Sequence, residues 1–325
     1  MPASLARGAA KPVTGRWGRL ALVRPLSRWL RLLTTALLSA SMVNTAANAT
    51  VATVTNIRRV DFRNFAYVSG TGAAITVKDG VYENTIKPDE PVYFQVLDVD
   101  HGDLDRDGVE EAIVTTLENT GGTGQFTDGL IFRLVAGNPK QIGDLGIGDR
   151  ADGGIHGITI ANGRIVVDRY GQNGTGACCP TYIERNTLKL DSKGQPTSAA
   201  KATKRAFISL SRSETGAPSK ITFLGRTSSA TIEGDGMAGD HGTLDAGKGQ
   251  TLTYSVSKVP NFPNARAAIV TLSIGTTTVA RVSSGGTWTG KLPTSGRYTL
   301  AWKQNGPVTS KDSTSAYATV DLSIR

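Results

Sequence analysis

From about residue 50 the chain is written in short runs where apolar and polar side chains alternate, separated by turn residues. Alternation with period two is the signature of a strand buried on one face. Ile75-Thr76-Val77 and Val81-Tyr82 flank Lys78-Asp79-Gly80, and Ile158-Thr159-Ile160 and Ile165-Val166-Val167 flank Ala161-Asn162-Gly163-Arg164. Asp-Gly and Asn-Gly between strand-like runs predict hairpins, because both turn residues must take positive φ. Val92–Leu97, Glu111–Thr116 and Leu130–Val135 read as further strands, the last after a glycine-rich turn from Gly121 to Gly129. Tyr182-Ile183-Glu184-Arg185 reads as the strand that closes this sheet.

Toward the C-terminus the pattern is cleaner. Leu252, Tyr254 and Val256 share one face of a run from Gly249 to Val256, and Val320, Leu322 and Ile324 share one face of the last run. Ala268–Ile274 and Tyr298–Trp302 lie between them. No long segment carries helical periodicity, so the expected class is all-β, with an α+β arrangement left open for the N-terminal part. Residues 50–191 are expected to form an N-terminal β domain and 221–325 a C-terminal β-sandwich. Residues 192–220, rich in Lys, Ser, Ala and Thr with Pro196 and Pro218, read as a linker with one docked segment at Phe207–Leu210.

The first 49 residues follow another logic. Seven cations and no acidic residue precede an uncharged stretch from Leu32, which ends in Ala47-Asn48-Ala49. This is the layout of a secretory signal, expected to be removed before Thr50. The apolar run to Val43 falls short of the roughly 20 residues a spanning helix needs. Seven of the 36 basic residues lie in this segment, so the rest carries 29 against 27 acidic residues. The formal charge of +9 is thus mostly a property of the signal, and no long basic run remains to suggest nucleic-acid binding. The expected location is the periplasm or the medium, with no membrane contact after cleavage.

One segment stands out chemically. Asp103-Leu104-Asp105-Arg106-Asp107-Gly108-Val109-Glu110-Glu111 repeats a carboxylate at every second position, follows with a glycine, and adds a further carboxylate. Calcium takes six to eight oxygens, and such spacing turns them inward. Asp103, Asp105 and Asp107 are the expected first ligands, with the Val109 carbonyl and Glu111 completing the set and the ion acting structurally. The alternative is an Asx-turn with solvated carboxylates. Residues 102–108, GDLDRDG, resemble the calcium loops of FG-GAP repeats, but the motif occurs once, which argues against a propeller.

Cys178 and Cys179 are the only cysteines and are adjacent. Neighbouring Cα atoms lie about 3.8 Å apart, below the usual disulfide span of about 4.4–6.8 Å, so a vicinal bond would be strained. The alternatives are two thiols or a bond to a partner. His101, His156 and His241 belong to no metalloprotease helix, and neither a nucleophile elbow nor a Walker loop is present. The three are expected as surface or turn residues.

Three segments carry a resemblance: Ser228–Gly234, Gly249-Gln250-Thr251-Leu252-Thr253, and Thr287–Leu300 with its Leu292-Pro293-Thr294-Ser295-Gly296-Arg297-Tyr298-Thr299-Leu300. Together they resemble the secreted bacterial β-sandwich of pre-peptidase C-terminal domains and of periplasmic inhibitors of goose-type lysozyme. The resemblance covers about 100 residues. It implies a sandwich with Tyr298 in its core and, by analogy, a non-catalytic envelope protein whose partner is a lysozyme or another protein or cell-wall ligand. The alternatives are a secreted metal-dependent hydrolase using Asp98, Asp100, His101 and Asp103, and a structural envelope protein. Oligomeric state is left open.

Overall fold

Short β-rich runs give strands almost everywhere in the computed structural model, which describes residues 55–85, 91–151, 153–171, 180–210, 218–235, 240–258, 267–304 and 317–325. The signal segment and both cysteines lie outside the described residues. The fold is all-β: among the described residues the helical content is one 3₁₀ turn, Ile57–Arg59, capped by Asn56. No described helix is long and apolar enough to cross a membrane.

β1 (Ala66–Val68) and β2 (Ala74–Thr76) form a small antiparallel pair. β3 (Val81–Glu83), β4 (Tyr93–Gly102), β5 (Glu111–Asn119), β6 (Phe126–Val135) and β7 (Asn138–Asp144) form an antiparallel sheet in that order. β8 (Ile155–Ile160), β9 (Ile165–Tyr170), β10 (Tyr182–Leu190), β11 (Pro196–Ser198) and β12 (Thr203–Ser209) follow, then β13 (Ser219–Lys220), β14 (Ser229–Asp235) and β15 (His241–Ala246). The chain continues through β16 (Thr251–Lys258), β17 (Ala268–Ile274), β18 (Thr277–Ser283), β19 (Thr287–Lys291), β20 (Gly296–Gln304) and β21 (Tyr317–Ile324). One nine-stranded sheet runs β19-β16-β21-β14-β12-β10-β9-β8, with β11 beside β10, and a five-stranded sheet runs β13-β15-β20-β17-β18.

The N-terminal sheet is a middle layer. On one side Phe94, Val96, Ala112, Val114 and Phe132 pack against Ile57, Phe62, Tyr67 and Ile75. On the other, Ile113 and Ile131 pack against Ile155, Ile165, Val167 and Leu104. β5 is therefore buried on both faces, which explains its nearly unbroken apolar and threonine run. In the C-terminal half, Ala230, Ile232, Leu252, Tyr254, Val256, Val320 and Leu322 of the nine-stranded sheet face Leu244, Val270, Leu272, Tyr298, Leu300 and Trp302 of the five-stranded sheet. The expected alternation in the runs now named β16 and β21 is thus the alternation between sandwich core and outer face. Tyr298 sits in that core, its hydroxyl donating to the Thr294 carbonyl at 2.6 Å.

Four expectations change. The stretch 192–220 carries β11, β12 and β13, and β12 lies in mid-sheet, antiparallel to β10 and parallel to β14. Residues 51–325 accordingly cohere as one unit across the expected linker. The run Thr203-Lys204-Arg205 looked linker-like because its polar side chains suggested solvent, yet Arg205 is buried in an ionic network. β10, expected to close a sheet, has neighbours on both sides. β6 begins at Phe126, inside the expected glycine-rich turn, and Gly129 belongs to the strand because Leu145 approaches too closely for a Cβ. The Asp79-Gly80 turn forms with both φ positive, but its flanks separate, β2 pairing with β1 and β3 with β4.

This topology has a testable cost. Residues 221–325 alone would leave β14 without β12, an open edge of apolar and threonine residues. That fragment is expected to self-associate at micromolar concentration and to melt at least about 5 °C below the full chain, as size-exclusion chromatography and thermal melts would show.

Candidate functional site

The acidic loop joins β4 to β5. Arg106 and Gly108 take φ of 66° and 87°, which turns the chain back tightly. The Asp103 carboxylate accepts from the backbone N–H groups of Asp107 and Gly108, both at 3.1 Å, and Asp107 Oδ1 accepts from Val109 N at 2.7 Å. Leu104 points the other way into the core, and Arg106 donates to the Asn162 carbonyl at 2.9 Å, pinning the loop to the β8–β9 turn.

Asp103, Asp105 and Glu111 each bring a carboxylate oxygen within 4.8 Å of the others. Asp107 and Val109 stand outside this trio. Glu111 is fully buried; its Oε2 accepts from Leu104 N at 2.9 Å and its Oε1 from Arg133 Nε at 2.8 Å. Arg133 also pairs with Asp105 through Nη2. Burial pushes the Glu111 carboxyl upward, and the Leu104 N–H and Arg133 only partly offset it. The three converging carboxylates fit a hard, oxygen-liganded cation, and one guanidinium already neutralises part of their charge.

A second site takes Asp98 and Asp100 from the alternative hydrolase reading and joins them to residues that were not foreseen. β4 carries a bulge between Val96 and Asp98. It reverses the parity of the strand: Phe94, Val96 and Val99 face the first core, while Asp98 and Asp100 face the opposite way. There they line a cleft of about 570 Å³ with His156, Asp168, Arg185, Ser255, Ser257 and Asp321. β8 and β16 lie far apart in the sheet order yet share this cleft, so the nine-stranded sheet curls around it.

The floor is an ionic lattice. Asp168 receives Arg185 through two hydrogen bonds of 2.8 and 2.7 Å and Arg205 through two of 3.2 and 2.8 Å. Arg205 also donates to Asp321 at 3.2 Å and to the Thr231 hydroxyl. Burial pushes the Asp168 carboxyl up, but the two guanidinium groups outweigh it and bring it down to about 2. Behind it, Arg150 pairs with Glu233 at 2.9 Å and lies over the rings of Tyr170 and Phe207.

His156, expected at the surface or in a turn, is a buried strand residue set edge-on to both rings. Burial holds its imidazole below the usual range, and Nε2 has no hydrogen-bond partner. His101 lies on the other side of β4, beside the Arg58–Glu110 pair, so the strand separates it from Asp98 and Asp100. Asp100 is pushed up to about 6, first by burial and then by the charge of Asp98. The sequence signal for this site was the single charge set among apolar strand residues: Asp168 after Val167, Asp321 between Val320 and Leu322.

Fold and site together define an all-β protein with a preformed, polar, mostly acidic cleft. No family model matches the sequence, and no curated protein matches it. Among solved structures the chain is similar to a periplasmic inhibitor of g-type lysozyme from Aeromonas hydrophila, at 21% identity over 37% of this chain and 97% of that one, with a TM-score of 0.28. The corresponding Salmonella Typhimurium inhibitor is 23% identical over 33% of this chain and 96% of its own, with a TM-score of 0.26. An exo-β-1,3-galactanase from Phanerochaete chrysosporium is 14% identical, covering 72% of this chain and 70% of that one, with a TM-score of 0.19.

Two outcomes follow from the geometry. Arg133→Met leaves the buried Glu111 without its cation and is expected to cost about 3 kcal/mol in chelator; millimolar calcium is expected to restore much of it, as melts with and without the ion would reveal. Asp100→Asn should act oppositely. The folded carboxyl at about 6 lies above the roughly 3.9 of an unfolded chain. Its favourable contribution is complete below about pH 4 and lost as pH rises through 6. Asn is therefore expected to add about 1–2 kcal/mol at pH 7.5, discounted for partial exposure, and little at pH 4.

Proposed function

We propose that this chain is an exported, non-catalytic binding protein of the cell envelope, acting in the periplasm or the medium, with a lysozyme or a peptidoglycan-related ligand as its partner. The observation that carries this reading is the Arg185–Asp168–Arg205–Asp321 lattice. Each of its groups is committed to an opposite charge, and Asp168 sits far from neutrality. Groups locked in this way make a rigid recognition floor and poor proton carriers, since a general acid or base works best with a pKa near ambient pH. The resemblance of the sandwich strands to secreted inhibitor and pre-peptidase domains supports the choice of partner. The residues that carry it, Gly249–Thr253 and Leu292–Leu300, start strands and close turns: Gln250 Oε1 accepts from Gly247 N, and Gly249 N donates to Leu292 O at 2.9 Å.

In this reading the acidic loop is structural. Asp103, Asp105 and Glu111 would hold a calcium ion, with Asp107 and the Val109 carbonyl as further ligands. The ion would fix the loop against the β8–β9 turn, which Arg106 already holds through the Asn162 carbonyl.

One observation favours a second reading, a secreted hydrolase. Asp100, raised to about 6, has the protonation behaviour of a general acid. Turnover of a cell-wall substrate that Asp100→Asn abolishes would establish it. For the leading reading, the full chain is assayed against goose-, chicken- and invertebrate-type lysozymes, with calcium and with chelator. Stoichiometric inhibition of one type is expected; none at about 10 μM protein, a binding free energy weaker than roughly −7 kcal/mol, would remove lysozyme as the partner.

A further inference from the structure

The cleft holds more negative charge than its own cations neutralise. Asp168 is matched by two guanidinium groups, and Asp321 shares one of them and the Thr231 hydroxyl. Asp98 and Asp100, on the facing wall, meet no cation among the described residues; Asp98 accepts only from the Val99 N–H, at 2.8 Å. A buried carboxylate beside another carboxylate stays uncompensated only at a cost in stability. The bulge at Leu97 is what turns both acids to the cleft side of β4, Asp98 exposed at its opening and Asp100 half-buried.

An independent observation comes from His156. It lines the same cleft, is 94% buried by its 6% relative exposure, and its Nε2 has no partner. Burial favours the neutral imidazole, and its unpartnered Nε2 accepts a hydrogen bond when Nδ1 carries the proton. Carboxylates without cations beside such a nitrogen describe the complement of one ligand chemistry: a positively charged group rich in N–H. Transition-metal occupancy is a poor match, because the ligating atoms of His156 and these carboxylates form no cluster of three within bonding reach among the described residues.

We propose that the cleft is a receptor for an ammonium or guanidinium group, the end of a lysine or arginine side chain on a partner protein, seated between Asp98 and Asp100 on one wall and His156 and Asp321 on the other. This specifies the partner's chemistry within the binder reading and rests on that reading only for the protein source. Ser255 and Ser257 also line the cleft and offer hydroxyls to the peptide backbone that carries the bound side chain. Arg185, already held by Asp168, keeps anionic ligands from being excluded outright but cannot offset both unpaired acids.

The test is a calorimetric and NMR titration of the full chain with three capped tripeptides, Ac-Gly-Lys-Gly-NH2, Ac-Gly-Arg-Gly-NH2 and the neutral Ac-Gly-Nle-Gly-NH2, and with spermidine. The two charged peptides are expected to bind and to shift the His156 ring resonances, and the norleucine peptide to do neither. Asp98→Asn/Asp100→Asn is expected to weaken binding at least about tenfold. That loss is not one of folding, because Asp100→Asn is expected to stabilise the protein at neutral pH. Asp245→Asn, on an exposed strand of the other sheet, should leave binding unchanged. Equal response to norleucine, or unchanged affinity in the double variant, would overturn the proposal. Spermidine binding far tighter than either peptide would overturn the side-chain source. Lysozyme inhibition that survives the double variant would sink this inference and leave the binder reading standing; peptide binding without inhibition of any lysozyme would remove lysozyme as the partner and leave this inference standing.

Discussion

A guanidinium cannot be left alone inside a protein, and Arg205 is nearly buried. Its two carboxylate partners lie 37 and 116 residues away, Asp168 on β9 and Asp321 on β21. Meeting that requirement draws β9, before β12 in the chain, and β21, far after it, around β12. The curl of the nine-stranded sheet, the cleft within the curl, and the fusion of two expected domains into one unit all surround this pairing. Removing one partner of such a group generally costs about 3–5 kcal/mol, more than the pair itself contributes. The lattice is therefore best understood as a register device. A slip of one residue in β12 would turn Arg205 toward the sandwich core, where no acid waits.

The two acidic sites use one idea in opposite ways. In the β4–β5 loop the protein supplies its own cation, Arg133, to Asp105 and Glu111, and backbone N–H groups to Asp103. In the cleft it withholds a cation from Asp98 and Asp100. Both segments lie downstream of the bulge near Leu97, the cleft acids on β4 and the loop at its exit. Beyond the bulge the strand keeps Val99 in the first core and sends its acids to the opposite face. The loop then reaches the β8–β9 turn through Arg106.

Local chemistry was legible in the sequence. Asn162-Gly163 and Asp79-Gly80 form turns because no other pairs there tolerate two positive φ values so readily. Leu252, Tyr254, Val256, Val320, Leu322 and Ile324 are buried as their alternation implies. The close grouping of Asp103, Asp105 and Glu111 also follows from spacing. What escaped was long-range. Arg205 reads as solvent-facing because its partners are distant in sequence, and the parallel pairing of β12 with β14 has no local sign. His156 looked like a surface residue because a lone histidine in a strand carries no mark of the aromatic rings that enclose it. The bulge that creates the cleft is invisible in Gln95-Val96-Leu97-Asp98, where simple alternation would place Asp98 beside Val96.

The position of β21 bears on how the protein comes to exist. It lies between β14 and β16 and pairs with both along most of its length. Its paired residues lie about 80–95 positions back in β14 and about 60–70 back in β16, and in the sheet order those two strands meet only through it. Until β21 arrives, the sheet is split and Arg205 lacks Asp321. The contacts that complete the fold are therefore among the most distant along the chain, an arrangement that makes folding slow. A delay of this kind keeps the chain pliable and postpones locking until β21 is in place.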